Sequence, residues 1–293
     1  MVKKGFNSVL YSNPYVDRFW VLEDNLLVLL KQLKNEHFDL VIDLHKNLRS
    51  LLFKFFLGIK FLSYDKLNLS KWLMTSFKIN KLPSIHLVDR YFNALTTLGI
   101  KNDGKGLDFF IKKNDIPFFK RYQMSTKFIV GVLGAAHYTK TIPLSKWREL
   151  IPKLNYTIIL IGGKKEMQAG SILENEFPNL VFSYAGKLDI QESAEWMQYA
   201  DFVVTPDTGM MHIAAALDKP MITLWGNTIP HFGMFPYFKN GSNKELRMEV
   251  VGLDCRPCSK IGFQECPKKH FRCMHDQHLN SALVVDFINK LVI

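Results

Sequence analysis

Short apolar runs alternate with longer amphipathic stretches through the second half of the chain, and this alternation restricts the fold more than any other feature. The runs that predict buried strands are Lys127–Leu133, Thr157–Ile161, Phe202–Val204 and Met221–Trp225. Helical patterns lie between or beside them at Ser145–Leu150, Glu166–Glu176, Ser193–Tyr199 and Met211–Leu217. Such alternation predicts an α/β, doubly wound domain with a parallel sheet, whose ligands bind beyond the carboxyl ends of the strands.

The first half has a less regular pattern. Its predicted elements are a helix at Asn25–Asn35, a buried strand at Phe38–Leu44 and a long amphipathic helix at Ile85–Leu98, while Trp72–Phe77 is ambiguous. The stretch Lys112–Ser125 is polar, charged and interrupted by Pro117, so we place a domain linker there. The predicted domains are 1–122 and 123–293, the second ending in a C-terminal helix. A length of 293 residues suits two domains.

Positive charge is concentrated in the first half. Residues 1–125 hold 20 Lys and Arg against 11 Asp and Glu, whereas the net charge of the whole chain is +11. This excess favours an anionic partner, such as a phosphorylated small molecule or an acidic membrane surface, although a solubilising basic surface accounts for it equally well. No nucleic-acid-binding motif accompanies the charge, so we expect no nucleic acid partner.

No apolar run in the sequence is long enough to cross a bilayer. The nearest candidate, Leu51–Leu62, is interrupted by Lys54 and Lys60. The first residues also lack the charged, apolar and small-residue order of a signal peptide. We therefore expect a cytoplasmic location.

The stretch Asp201–Trp225 has the pattern of a phosphate-binding loop. A buried strand leads into Thr205-Pro206-Asp207-Thr208-Gly209, and a helix with His212 in its first turn follows. The exposed N–H groups and the dipole of a helix N-terminus attract anions, and Gly209 allows a ligand to approach the backbone. From this spacing alone, a phosphate site and an ordinary capped helix are about equally well supported.

A second loop follows the strand Lys127–Leu133 and contains small residues up to Lys140. Lysine binds phosphate as a point charge, although a lone lysine is more often a surface residue. No G-x-G-x-x-G or Walker A spacing accompanies these loops, which argues against a dehydrogenase and against a P-loop NTPase. Separate loops and a helix end would hold a diphosphate instead.

The front half offers one basic loop at the end of its predicted strand. Lys46, Asn47, Arg49 and Ser50 follow Phe38–Leu44 and are candidates for binding an anionic acceptor. A solvated loop between strand and helix explains the same residues equally well.

These stretches together resemble glycosyltransferase family 9, the lipopolysaccharide heptosyltransferases. The similarity is most specific from Asp207 to Ala216, in Lys219-Pro220 and in Trp225-Gly226-Asn227-Thr228. The front half is similar through Phe38–Leu44 with Asn47 and Ser50, and through Asn13–Asp17. The resemblance implies the GT-B fold, in which two Rossmann-like, doubly wound domains face a cleft.

The resemblance also implies a function and a set of site residues. The function is inverting transfer of heptose from an ADP-sugar, ADP-heptose, to an anionic glycolipid, the inner core of lipopolysaccharide. No cofactor or catalytic metal is implied, and peripheral contact with the cytoplasmic face of the inner membrane is expected. The donor-binding residues would be Asp207, Thr208, Gly209 and His212, with Leu188 near the adenine. Lys140 would stabilise the leaving phosphate.

The sequence departs from the family pattern in three places. Ala135 and Ala136 stand where hydroxyl residues are common, and Asn227 replaces a proline. The family's first strand and the Gly-Asp loop that supplies its general base have no counterpart, so we expect a front domain that lacks both and a chain truncated or mis-started at its N-terminus. Alternative functions are a non-catalytic nucleotide-sugar-binding protein and a nucleotide-sugar epimerase or other GT-B relative.

All four cysteines lie in one short segment. Cys255, Cys258, Cys266 and Cys273 follow a C-x2-C-x7-C-x6-C pattern, whose first pair has zinc-ligand spacing. A structural zinc ion and four buried thiols are the two alternatives, with His270 and His275 as further ligand candidates.

Overall fold

The computed structural model of the chain describes residues 1–22, 25–122, 127–279 and 281–292. In the front half, four short strands form two separate parallel pairs, β1 Val2–Lys3 with β2 Val21–Leu22, and β3 Leu40–Asp43 with β4 Lys60–Ser63. The helices of this half are α1 Leu26–Asn35, α2 Leu48–Leu57, α3 Asn68–Phe77, α4 Leu87–Asn93 and α5 Phe118–Tyr122. The front half is thus α/β, with its strands divided between two small sheets.

The back half is built on one six-stranded sheet. Its strands are β5 Phe128–Val132, β6 Thr157–Ile161, β7 Val181–Ser183, β8 Val203–Pro206, β9 Met221–Trp225 and β10 Glu245–Glu249. Their order is β10-β9-β8-β5-β6-β7, and all neighbours are parallel. The helices are α6 Leu144–Leu154, α7 Met167–Glu176, α8 Ile190–Tyr199, α9 Gly209–Ala216, α10 Arg272–His275 and α11 Ser281–Val292. Short 3-10 turns lie at Lys4–Val9, Thr96–Leu98, Tyr138–Lys140, Lys164–Glu166, Pro230–Phe232 and Lys239–Gly241.

Two apolar clusters sandwich this sheet. Every residue of β5 and β9 is buried, as expected for central strands of a parallel sheet covered by helices on both faces. Trp147 of α6 belongs to one cluster and Trp196 of α8 to the other, and neither side chain is exposed. The front half has a smaller core, in which Leu29, Leu30 and Leu33 of α1 pack near Phe53 of α2. The back sheet therefore has the larger buried core of the two halves and gives the more rigid support for a binding site.

The predicted strands of the back half agree closely with β5, β6, β8 and β9, whereas β7 and β10 were not predicted. The helix predicted at Ile85–Leu98 is shorter, because α4 ends at Asn93 and a 3-10 turn follows. The ambiguous stretch Trp72–Phe77 belongs to α3. Part of the predicted linker is helical, as α5, and its last residues, 123–125, lie outside the described residues.

Across the described ranges, no helix combines the length and the apolar character needed to cross a membrane. The longest helix in the back half, α11, has 12 residues.

Candidate functional site

Three loops meet at the carboxyl end of the back sheet. β9, β8 and β5 are adjacent, so the residues that follow them emerge side by side. Gly226 follows β9, Asp207 follows β8, and the loop with Lys140 follows β5. The residues predicted from two distant stretches of sequence are therefore neighbours, at the edge where ligands bind in such sheets.

Asp207 is the centre of a buried polar cluster. Its Oδ2 lies 2.8 Å from Nζ of Lys140 and accepts a hydrogen bond of 2.6 Å from the hydroxyl of Thr228. The side chains of Asp207 and Lys140 are only 8% and 14% exposed. The ion pair fixes the ammonium at the sheet edge and leaves it close enough to the surface to meet an anionic ligand.

The N-terminus of α9 faces the same edge. Thr208 occupies the N-cap position, but its side chain makes no capping hydrogen bond, contrary to one of the predicted alternatives. A Cβ atom added at Gly209 would meet no other atom within 4 Å. The helix start is thus uncapped by its side chain and has free space in front of it, which suits an incoming anion.

His212, in the first turn of α9, is uncharged at neutral pH. Burial lowers its pKa to about 4, an effect that the charge of Asp207 opposes and that His86 and Lys140 reinforce. The sequence left open whether His212 would contribute a hydrogen bond or a charge. Because the pKa lies far below 7, a neutral imidazole that donates or accepts a hydrogen bond is the form available.

Arg256, which sequence analysis did not single out, holds the loop after β9 in place. Its guanidinium donates to the carbonyl oxygens of Gly226 at 2.7 Å, Thr228 at 2.9 Å and Val250 at 3.0 Å, and pairs with Glu249 at 2.8 Å. Its side chain is 6% exposed. Through Thr228, Arg256 is connected to the carboxylate of Asp207.

A second set of contacts joins the loops after β5 and β9. Thr139 exchanges hydrogen bonds with Phe263, and the N–H of Asn227 donates to the carbonyl oxygen of Thr139. A Cβ added at Gly226 would lie 2.6 Å from that oxygen, so the close approach requires glycine. Both side-chain polar atoms of Asn227 are buried and make no hydrogen bond to the described residues. The amide of Asn227 is thus an unused polar group beside Thr228.

Glu166 is a second group that sequence analysis missed. A Cβ added at Gly134 would lie 3.1 Å from one carboxylate oxygen of Glu166, and one added at Gly163 would lie 3.2 Å from the same oxygen. The carboxylate therefore sits between the ends of β5 and β6. Its signal in the sequence is weak, a single acidic residue shortly after Gly162-Gly163. Leu188 follows β7, one strand further from Asp207, and packs partly buried against one core cluster.

Cationic side chains converge where the front half meets the back half. His86 caps α4 by accepting from the N–H of Val88, and its other ring nitrogen lies 2.8 Å from the carbonyl oxygen of Phe235. One turn later, Arg90 is 6% exposed; its Nη2 donates to the carbonyl oxygen of Phe232 at 3.5 Å, and its Nε and Nη1 have no hydrogen-bond partner among the described residues. Burial and the nearby charges of Arg90, Lys260 and Lys66 lower the pKa of Lys71 to about 8.

The predicted acceptor-side loop is partly used to start α2. Asn47 and Ser50 form a reciprocal capping box, each side chain accepting from the other's N–H, at 3.0 and 2.9 Å. Lys46 donates to the carbonyl oxygen of Tyr64 at 3.2 Å, whereas Arg49 is exposed. The polar groups of Asn47 and Ser50 are thus engaged locally, and acceptor binding by this loop stays a prediction.

The four cysteines lie near one another in the segment that follows β10, with Sγ of Cys255 3.8 Å from Nε2 of His270. All four are free, and the described residues contain no group of three or more His, Cys, Asp or Glu able to hold a metal ion. Burial raises the pKa of Cys258 to about 11 and that of Cys273 to about 12, so both are protonated thiols at neutral pH. Zinc binding by Cys255, Cys258, Cys266 and Cys273 is therefore not supported by the described residues, and of the four thiols only that of Cys273 is fully buried.

A sequence profile of the glycosyltransferase family 9 (heptosyltransferase) matches residues 26–262. This chain belongs to glycosyltransferase family 9. Its relatives include lipooligosaccharide heptosyltransferase 2 of Haemophilus influenzae, which is 27% identical over 229 residues that cover 67% of this chain. Another is lipopolysaccharide heptosyltransferase 1 of Salmonella typhimurium, 35% identical over 115 residues that cover 36% of this chain and 34% of the relative.

The matched parts are shorter than the relatives themselves, since the Haemophilus alignment spans 63% of that protein. Solved structures extend the likeness over the whole chain. The glycosyl transferase family 9 protein of Veillonella parvula has a TM-score of 0.73, and E. coli ADP-heptose lps heptosyltransferase II has one of 0.66. Each is 18% identical, and each comparison covers 99% of this family 9 chain and 87% of the other chain. The expected GT-B fold is confirmed.

Proposed function

We propose that this chain is a glycosyltransferase that moves heptose from ADP-heptose, with inversion, onto the inner core of lipopolysaccharide at the cytoplasmic face of the inner membrane. The observation that carries the proposal is the cluster of Lys140, Asp207 and Thr228 beside the start of α9. Family membership supports the reaction class, and the E. coli structure with TM-score 0.66 is an ADP-heptose enzyme.

The donor diphosphate would lie between Lys140 and the N-terminus of α9. Negative charge grows on the leaving phosphate as the sugar–phosphate bond breaks, so a fixed ammonium lowers the barrier more than it strengthens ground-state binding. The free space at Gly209 admits the phosphate oxygens, and neutral His212 donates or accepts one hydrogen bond. Asp207, oriented by the hydroxyl of Thr228, holds Lys140 and would contact a hydroxyl group of the sugar.

The nucleoside would extend along the sheet edge away from β8. Neighbouring strands are about 4.8 Å apart, so β8 and β7 are separated by roughly 14 Å, enough for an elongated nucleotide. Glu166, between the ends of β5 and β6, is placed to accept hydrogen bonds from a ribose diol, and apolar Leu188 after β7 to contact the adenine.

The acceptor would bind on the side of α4. Arg90 has two buried nitrogens without partners and lies near Lys71, whose pKa is lowered by burial and by neighbouring cations. Buried cations without carboxylate partners are costly unless an anion neutralises them, so this cluster suits the acid groups of the glycolipid. Arg49 and Lys46 of the front loop would add to the same charge. No general base is assigned to the described residues.

Equilibrium binding to a panel of nucleotide sugars tests the donor assignment. We expect ADP-heptose to bind more tightly than UDP- or GDP-sugars, and Lys140→Met to weaken its binding while the change Lys290→Met, at an exposed lysine of α11, does not. Equal, weak binding of all the nucleotide sugars would contradict the assignment.

A further inference from the structure

Helix α2 presents a continuous apolar stripe to solvent. Five of its ten residues are large, apolar and exposed, by fractions from 45% to 83%: Leu48, Leu51, Leu52, Phe55 and Phe56. At about 100° per residue, these positions fall within roughly 140° of the helix circumference. The opposite face is buried through Ser50 and Phe53, with Phe53 packed near α1. The stripe, which we call the α2 stripe, is therefore not part of the front core.

Basic side chains border the α2 stripe. On the helical wheel, Arg49 lies at one edge and Lys54 at the other, and both are exposed. The neighbouring helix α1 adds exposed Lys31 and Lys34, and neither helix contains an Asp or Glu. Within the described part of the chain, none of these four cations takes part in an ion pair of the structure. Such a surface combines apolar groups with uncompensated positive charge.

We propose that the α2 stripe docks on an anionic lipid bilayer. An amphipathic helix of ten residues, about 15 Å long, is too short to cross a membrane but suits the interfacial plane. Leu and Phe side chains would enter the acyl boundary, while Arg49 and Lys54 extend to the phosphate groups. Basic residues near such a surface are attracted by its negative potential.

The charge pattern favours a bilayer over a second copy of the chain. A two-fold dimer would place the α2 stripe against itself, bringing like-charged groups from both copies together, and neither α1 nor α2 contains a carboxylate to pair with them. An anionic bilayer instead supplies phosphates at the edges and acyl chains in the middle. The inference rests on the proposed function, which places the chain at the cytoplasmic face of the inner membrane, and it names the surface that would make this contact.

Co-sedimentation with vesicles tests this inference without substrates. We expect binding to vesicles of phosphatidylglycerol and phosphatidylcholine, little binding to phosphatidylcholine alone, and weaker binding as salt rises. The variant Leu51→Ser/Phe55→Ser should lose at least about tenfold in partitioning, in line with the area of apolar surface removed. Matched exposed residues of α11 serve as the control, and Leu283→Ser/Val285→Ser should bind like the original chain.

A charge variant tests the electrostatic part independently. Removing a basic side chain near an anionic surface weakens binding roughly fivefold, so Lys31→Gln/Lys54→Gln should weaken it by about 25-fold. Unchanged vesicle binding in both the apolar variant Leu51→Ser/Phe55→Ser and this charge variant would overturn the inference. It would also fail if sedimentation velocity showed a dimer that Leu51→Ser/Phe55→Ser abolishes, with no vesicle binding. ADP-heptose binding, measured separately on the same variants, should stay unchanged and keeps this test distinct from that of the proposed function.

Discussion

Arg256 is the residue whose replacement most sharply tests how the donor site is held together. Replacing it by alanine removes the hydrogen bonds to three carbonyl oxygens, those of Gly226, Thr228 and Val250. The carboxylate of Glu249 also loses its ion pair. Each buried polar group without a partner costs about 1–3 kcal/mol. Water would reach part of the space, so we expect a total loss near the lower end, about 3–5 kcal/mol of unfolding free energy.

The same change should weaken donor binding. Gly226 and Thr228 would lose their fixed positions, and Thr228 orients Asp207 beside Lys140. We expect the Kd for ADP-heptose to rise about 10- to 100-fold, equivalent to about 1.4–2.7 kcal/mol. Arg256→Lys keeps the charge but not the forked geometry, so it should lose about half as much stability.

Urea denaturation and calorimetric titration with ADP-heptose measure the two effects. The matched control is Arg148→Ala, which removes a two-hydrogen-bond pair with Glu176 on the exposed surface and should change both quantities far less. The reasoning is refuted if Arg256→Ala behaves like Arg148→Ala. A loss of stability with unchanged donor affinity would refute the positioning role alone.

Three further outcomes follow from the same site. Gly226→Ala places a Cβ 2.6 Å from a backbone oxygen, and we expect urea denaturation to show a loss of about 1–3 kcal/mol in unfolding free energy. Gly209→Ala has free space around its added Cβ, so it should leave stability unchanged and weaken only donor binding. Equal stability of the two variants would contradict this reasoning. His212 has a folded-state pKa of about 4, below its ordinary value of 6.5, so its contribution to stability is intact above pH 6.5 and is lost as the pH falls towards 4. The loss should amount to about 3 kcal/mol, and His212→Gln should flatten that part of the stability–pH profile; an equally steep profile in the variant would assign the slope to other groups.

The alternation of apolar runs and amphipathic stretches was sufficient to predict the central strands of the back sheet. β5, β6, β8 and β9 consist mainly of apolar residues and contain no charged one, because helices cover both faces of the sheet, and that pattern is visible without a structure. The edge strand β10, Glu245–Glu249, contains three charged residues and gave no such signal. An edge strand of this kind is recognised only from its pairing with the neighbouring strand, here β9.

Candidate site residues could be predicted from the sequence only where a local pattern, such as a loop directly after a strand, marks them. Asp207 and Lys140 were found because each follows a strand, and the strand order then made them neighbours. Arg256 and Arg90 were missed, since their roles depend on carbonyl groups and on burial supplied by distant segments. The cysteine segment left two alternatives open, and the described residues support neither in full. They contain no group of three or more His, Cys, Asp or Glu able to hold a metal ion, and of the four thiols only that of Cys273 is fully buried.

Acceptor-dependent release of ADP tests the proposed sugar transfer most directly. Purified chain would be mixed with ADP-heptose, with and without a heptose-acceptor glycolipid, and free ADP measured over time. We predict release that requires the glycolipid and falls about 10²–10³-fold in kcat for Lys140→Met, the size expected when one group stabilising the leaving charge is removed. Tight ADP-heptose binding without acceptor-dependent ADP release would contradict the account and identify the chain as a nucleotide-sugar-binding protein.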